Sequence, residues 1–196
     1  MSSPCRIFIL NLDGTLRADY WHFGQIADLA VKDLDDDGLP EILCSGQVNG
    51  DAERPCLFIL DPRRLAGAAP ALGPRSGFEG MPPGTELVAV LLPLTPLEAL
   101  HQPGVTAQTI DVLESGRCLV TVDIDGPVYE FDRQGRLIAA TLGHDFQRQY
   151  KQAVLDGRLA VLPDFNRLRS ELMAGVRYYD GKSGRWVAHW ARSNPR

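Results

Sequence analysis

The chain is short of several things, and each shortage removes a class of function. It has no basic surplus: 20 Lys and Arg stand against 25 Asp and Glu, a formal net charge of −5. A dedicated nucleic-acid binder would show a basic face or stripe, so no nucleic-acid partner is expected. Its four cysteines, Cys5, Cys44, Cys56 and Cys118, form no CxxC pair and no metal-finger spacing. In 196 residues they do not read as a disulfide framework, and buried reduced thiols are expected. A membrane-spanning run is also missing. The longest apolar stretch, Leu87 to Leu100, is broken by Pro93, Pro96 and Glu98 and is too short for a bilayer, so no membrane insertion is expected. The opening MSSPCRIFIL does not read as a signal peptide, because its apolar run passes straight into a turn. The location is not legible; the chain reads as soluble, and as cytoplasmic if it is complete. A start almost directly in a strand also suits a domain of a larger protein. Catalytic signatures are scarce as well. There is no GxSxG, HExxH or P-loop. His22, His101, His144 and His189 are scattered and read as surface or packing residues.

What is present is a β-rich pattern. With 44% hydrophobic and 23% charged residues, the chain is long enough for one domain with a sizeable core, taken as residues 1–196. RIFIL at 6–10 is a short apolar run closed by a turn signal, as for a buried strand. Further strands are expected at 15–21, from Glu41, along PCLFIL, at 85–92, across 105–122 and in the hairpin GPVYEFDRQGRLIAATL. Residues 66–84 are rich in Gly, Ala and Pro and read as a long irregular connection. Two helices are expected within a helical insertion at 143–175. Phe146, Tyr150, Ala153 and Val154 share one helical face near 144–156, with Asp145 as cap and Gly157 as stop. Phe165, Leu168 and Leu172 do the same near 164–174, with Asp164 as N-cap and Gly175 beyond the end. The sequence closes on VRYYDGKSGRWVAHW, another hairpin.

A weak internal repeat runs through these hairpins. Phe8-Ile9-Leu10-Asn11-x-x-Gly14-x-Leu16 matches Tyr129-Glu130-Phe131-Asp132-x-x-Gly135-x-Leu137. Val176 to Trp186 is the same theme with one more loop residue, and LFILDPRRL is a degenerate copy. Asn or Asp at the strand end bonds back to the turn backbone, and Gly accepts the positive φ that closes it. Strand, turn and strand at intervals is the habit of β-propeller blades.

The sharpest chemical signal is VKDLDDDGLPEIL. Asp33, Asp35 and Asp37 alternate, Gly38 follows, and Glu41 comes four residues after Asp37. Ca2+ takes several hard oxygen ligands at flexible distances. Carboxylates at positions 1, 3 and 5 of a tight loop can converge on one ion, and Gly at 6 permits the bend. The Leu39 carbonyl and the Glu41 carboxylate can add ligands, while Asp36 is expected to face solvent. An EF-hand would need Glu at position 12, where Cys44 stands, and an exiting helix that Pro40 and the run Glu41 to Leu43 oppose. Acidic turns capped by their own side chains are the bland alternative.

The stretch IADLAVKDLDDDGLPEILCSG resembles an FG-GAP or VCBS-type repeat, best over residues 22–62. Such repeats form blades of β-propellers like the integrin α-subunit head, and their DxDxDG loop binds Ca2+. The resemblance implies a mainly β, propeller-like or partial-propeller fold of antiparallel hairpin blades. It implies a structural Ca2+ held by Asp33, Asp35, Asp37, Leu39 (carbonyl) and Glu41. The function expected is a non-enzymatic, calcium-stabilised binding or scaffolding module with a protein or glycan partner, a regulatory or sensory part of something larger. Tyr178, Tyr179, Trp186 and Trp190 offer a sugar- or peptide-binding face, with packing as their alternative use.

Two rival readings follow from the same residues. A carbohydrate-active or other hydrolytic enzyme would need converging carboxylates beyond the Ca2+ loop, with Asp123, Asp125 and Glu130 as first candidates. Separately, Asn11-Leu12-Asp13-Gly14-Thr15-Leu16 is one substitution from DxDGTL, the nucleophile loop of haloacid-dehalogenase-like phosphatases. In a degenerate member of that group Asn11 could not attack phosphorus, and the fold would be a parallel α/β sheet.

Overall fold

A computed structural model describes residues 4–49, 53–69, 81–100, 105–123, 126–174, 177–180 and 185–188. The chain is mainly β. The strands are β1 (Cys5–Leu10), β2 (Leu16–His22), β3 (Gly24–Lys32), β4 (Glu41–Val48), β5 (Arg54–Leu60), β6 (Glu86–Leu91), β7 (Ala107–Val112), β8 (Cys118–Val122), β9 (Val128–Phe131), β10 (Leu137–Thr141), β11 (Arg177–Asp180) and β12 (Arg185–Ala188). Three helices are interspersed: α1 (Pro96–Ala99), α2 (His144–Leu155) and α3 (Phe165–Ala174). The strands form a two-stranded sheet β1-β2, a four-stranded sheet β10-β9-β8-β7 and a six-stranded sheet β12-β11-β6-β5-β4-β3. Every ladder between these strands is antiparallel, and none of the sheets closes on itself. The parallel α/β sheet that a phosphatase reading requires is not what these residues build.

The central strands β4 and β5 of the six-stranded sheet are covered on both faces. In β4 and β5, Leu43, Leu57 and Ile59 join one core with Val90, Val120, Tyr129, Phe131, Phe146 and Tyr150. The intervening Ile42, Cys44, Cys56, Phe58 and Leu60 join a second core under the β1–β2 hairpin, with Ile7, Tyr20 and Leu65. Side chains alternate across a strand with period two. A strand covered on both faces therefore reads as an unbroken apolar run, as LFIL does. The first core lies between the two large sheets and beneath α2 and α3. At the edge between them, Asp28 of β3 accepts the Ile110 N–H of β7 at 3.0 Å.

The hairpin repeat is visible in the backbone. Asn11 N–H donates to the Thr15 carbonyl and Gly14 N–H to the Asn11 carbonyl, each at 2.9 Å. Asp132 N–H to Arg136 and Gly135 N–H to Asp132 repeat that pair of bonds at 2.9 Å. Gly14 and Gly135 adopt φ of +83° and +70°, and each hairpin carries a register shift beside its turn. Asn11 is thus a hairpin residue, its amide donating to Thr15 Oγ1 at 2.9 Å. A third copy, Leu113 to Arg117, escaped the sequence reading because it has no Asx residue at its first position. In the C-terminal hairpin, Tyr179 pairs with Trp186 in register; its turn, 181–184, lies outside the described residues.

Both expected helices form, with altered ends. α2 takes Gly143 as N-cap without a side-chain bond; Asp145 instead sits in the first turn and pairs with Arg148 at 2.7 Å. Gly157 follows the helix at φ +71°. Asp164 does cap α3, its Oδ1 accepting Asn166 N–H at 3.0 Å; Gly175 lies outside the described residues. The unpredicted α1 is one turn with a full capping box, Thr95 with Glu98. Of the 66–84 connection, 70–80 lie outside the described residues, and the flanks form isolated bridges, Trp21 with Ala68 and Ala68 with Pro83. Cys44, Cys56 and Cys118 are buried, Cys5 is partly buried, and all four are free. No helix among the described residues is long and apolar enough to cross a membrane.

Candidate functional site

The acidic loop joins the edge strand β3 to the fully buried β4. Its shape is written in short-range bonds from carboxylates to backbone N–H groups. Asp33 Oδ2 accepts Gly38 N–H at 2.8 Å, Asp35 Oδ1 accepts Asp37 N–H at 3.3 Å, and Asp37 Oδ1 accepts Leu39 N–H at 2.8 Å. Glu41, buried at the base, accepts Leu34 N–H at 2.8 Å through Oε2. Two residues take left-handed backbone, Gly38 at φ +85° and Asp36 at φ +61°. Glycine carries that without cost, and Asp is among the few side chains that tolerate it.

These bonds turn three carboxylates toward one another. Asp33, Asp35 and Asp37 each present an oxygen within 4.8 Å of the other two. Oxygens sharing one Ca2+ at 2.3–2.6 Å lie at most about 5.2 Å apart, so the spacing suits that ion. Asp33 Oδ1 is buried and has no hydrogen-bond partner. An all-oxygen, carboxylate-rich donor set fits a hard cation, and an orphaned carboxylate oxygen is what a cation would satisfy. Leu39 is in the loop with an exposed side chain. The Glu41 carboxylate is not among the three that converge. It does feel them: burial first, then Asp35 and Asp37, push its carboxyl above the usual range.

Two arginines from other turns reach the loop. Arg63, in the turn after β5, donates to Asp37 Oδ2 at 2.6 Å and grips Asp61 through two further bonds at 2.8 and 3.0 Å. Asp37 is held below the usual carboxylate range, first by the Leu39 N–H and then by Arg63. Arg133, in the β9–β10 turn, donates to Asp36 at 2.5 Å and to the Ser115 carbonyl of the β7–β8 turn at 2.6 Å. The acidic loop is thereby tied to turns of both large sheets. Asp36 carries that tie on an exposed carboxylate, so it lies apart from the converging triad as the sequence suggested.

The carboxylates named for a hydrolytic site are spread out. Asp123, just past β8, accepts Thr106 N–H at 3.4 Å. Glu130 pairs with Leu119 in the β8–β9 ladder, four positions from Asp123, or ~13 Å along a strand. Asp125 lies outside the described residues. Of the histidines, His22 is buried and stacked on Phe58 at 4.5 Å, its Nε2 3.0 Å from the Gln47 carbonyl; His144 opens α2, and His101 and His189 lie outside the described residues, as does Trp190.

A buried polar pair under the β1–β2 hairpin was not legible in the sequence. The Tyr20 hydroxyl bonds Glu86, and both are buried among Cys56, Phe58 and Ala89. Burial raises Glu86, and it draws His22 down to about 4. The strand pattern around Tyr20 and His22 marks them as inward-facing, but their partners are distant in sequence.

Compared with known proteins, the chain matches no family model, no curated protein and no solved structure.

Proposed function

We propose that this chain is a non-catalytic binding or scaffolding module whose β3–β4 loop holds a structural Ca2+, in the manner of an FG-GAP or VCBS-type blade. The observation that carries the reading is the convergence of Asp33, Asp35 and Asp37 beside an unpartnered, buried Asp33 Oδ1. Those three carboxylates are the direct ligands. The Leu39 carbonyl and Glu41 are the remaining protein oxygens of the loop that the ion would draw on. The ion would supply no chemistry to a substrate; it would offset the mutual repulsion of the carboxylates and stiffen the loop.

The blade character is supported by the order of the strands. β3 to β6 and β7 to β10 are two successive four-stranded antiparallel meanders, the unit from which propeller blades are made. The loops and turns at the strand ends are the surface that would meet a protein or glycan partner. Arg63 and Arg133 support a preorganised loop, since each holds an acidic side chain in place from a neighbouring turn.

The test is calorimetric titration of EGTA-stripped protein with CaCl2, alongside MgCl2 and the variants Asp35→Asn and Asp37→Ala. One equivalent of Ca2+ should bind the parent chain, with binding weakened at least tenfold in each variant. Equal Ca2+ uptake by parent and variants would defeat the ligand assignment.

A further inference from the structure

At the opposite end of the six-stranded sheet from the acidic loop lies a cleft of about 360 Å3. Pro93, Leu94, Pro96 and Ala99 of the β6–α1 segment form one wall, and Leu168 and Leu172 of α3 another. Thr95 and Arg54 are the polar contributors. The volume falls in the ~300–1,000 Å3 range of small-molecule sites. Apolar side chains share the lining with a few polar groups, as in such sites.

Arg54 is the unusual member. It opens β5 and is partly buried, with Nη2 donating to the Leu92 carbonyl at 2.6 Å. That bond fixes the guanidinium on the backbone. Its Nε is buried without a partner, and Arg54 takes part in none of the ion pairs among the described residues. Glu98 is near enough to favour its charge, yet the Glu98 carboxylate is turned into the capping box, with Oε2 on Thr95 N–H at 2.7 Å. Burial keeps the Glu98 carboxyl up at about 7, so it does not fully offset the arginine. A half-buried guanidinium with no anion bound is costly unless something pairs with it.

We infer that this cleft binds a small monocarboxylate with an apolar body, the carboxylate pairing with Arg54 and the body lying against Leu94, Ala99, Leu168 and Leu172. One guanidinium matches one carboxylate, because each carries a single unit of charge. A phosphate would bring a second charge that no other described residue lining the cleft neutralises. The site is separate from the acidic loop, and it stands or falls without the Ca2+ reading.

The test is calorimetric titration of the full chain with hexanoate, run in EGTA so that Ca2+ plays no part. 1-Hexanol and inorganic phosphate serve as comparison probes. Saturable hexanoate binding is expected, with both comparison probes at least tenfold weaker. Arg54→Gln should weaken hexanoate at least tenfold. Because that change also removes the bond to Leu92, Ala99→Trp is the second variant; position 99 is exposed, and the indole would fill the cleft without touching Arg54. It should weaken hexanoate to the same degree while the melting temperature stays near that of the parent chain. No saturable hexanoate binding, hexanol or phosphate binding as tightly as hexanoate, or undiminished binding to Ala99→Trp, would overturn the proposal.

Discussion

Two buried groups should pull the pH dependence of stability in opposite directions, and removing either should expose the other. His22 is enclosed by Phe58, Val48 and Cys56, and burial draws its pKa from 6.5 to about 4. Between those values the unfolded chain binds a proton that the folded chain does not. Stability therefore rises with pH across that window; the contribution is complete above 6.5 and is lost as pH falls toward 4. The gap of about 2.5 pH units at 1.36 kcal/mol each makes about 3 kcal/mol. Glu98 does the reverse. Burial lifts it from 4.5 to about 7, so the folded chain keeps a proton that the unfolded chain has released. Its contribution is complete below 4.5 and is lost as pH rises through 7, again by about 3 kcal/mol. Glu41 and Glu86 are also raised and act with Glu98. The assay is urea unfolding followed by tryptophan fluorescence from pH 4.5 to 8 at fixed ionic strength. Parent, His22→Phe and Glu98→Gln chains are compared. Phe keeps the stack on Phe58, and Gln can keep the capping bond to Thr95. Relative to the parent, His22→Phe should gain about 2.5 kcal/mol as pH falls from 7.5 to 4.5, whereas Glu98→Gln should gain about 3 kcal/mol as pH rises from 4.5 to 8. Difference curves that stay flat with pH in both variants would refute the burial argument for these groups.

Other perturbations probe packing and turns. Gly135→Ala places a Cβ 2.7 Å from Val88 Cγ1 at φ +70° and should cost about 1–3 kcal/mol in urea unfolding. Gly14→Ala, at φ +83° with nothing within 4 Å, should cost only the backbone strain, about 1 kcal/mol; equal losses at both sites would show that the Val88 contact is immaterial. Tyr129→Phe removes a buried hydroxyl bond of 2.6 Å to the Pro93 carbonyl and should lower stability by about 1–3 kcal/mol, read from the urea midpoint at constant slope. Phe58→Ala opens the second core beside Tyr20 and His22 and should cost about 3–5 kcal/mol, with a matching drop in melting temperature.

The parts of this fold legible in sequence are those governed by neighbours along the chain. Asn11 with Gly14, and Asp132 with Gly135, announce hairpins because the bonds that close them span only three or four residues. The faces of α2 and α3 follow from spacing, and Phe146, Tyr150 and Leu168 are buried as that spacing requires. The α1 turn is written in Thr95-Pro96-Leu97-Glu98, a capping box with Pro at the first helical position, but in sequence Pro96 and Glu98 register only as breaks in an apolar run. At the acidic loop, the spacing of Asp33, Asp35 and Asp37 with Gly38 is legible because the bonds that turn them together span only two to five residues. What that spacing cannot reveal is Arg63, 26 residues from Asp37, or Arg133, 97 residues from Asp36. Those contacts exist because successive meanders bring their turns to one end of the sheets. The cleft at Arg54 is hidden for the same reason, its walls drawn from β5, the segment before α1, and α3.

The burial of β4 gives the acidic loop a structural task. Strand register is normally enforced by alternation, since a slip of one residue exchanges the inner and outer faces. All eight residues of β4 are buried, so a slip would move apolar side chains from one covered face to another and meet little penalty from water. Two local features bear on the register that sets Lys32 opposite Glu41 and Val31 opposite Ile42: Gly46, where a Cβ would lie 2.0 Å from the Gln25 carbonyl oxygen, and the turn between the strands. On the turn side, Gly38 N–H donates to Asp33 and Leu34 N–H donates to Glu41, and the second of these bonds joins the loop directly to the first residue of β4. Four aspartates and a glutamate crowded into nine positions, Asp33 to Glu41, repel one another. Arg63 and Arg133 offset two of those charges, leaving Asp33, Asp35 and Glu41 without a cationic partner among the ion pairs of the described residues. A divalent cation at the triad would remove that opposition and stiffen the turn that joins β3 to β4.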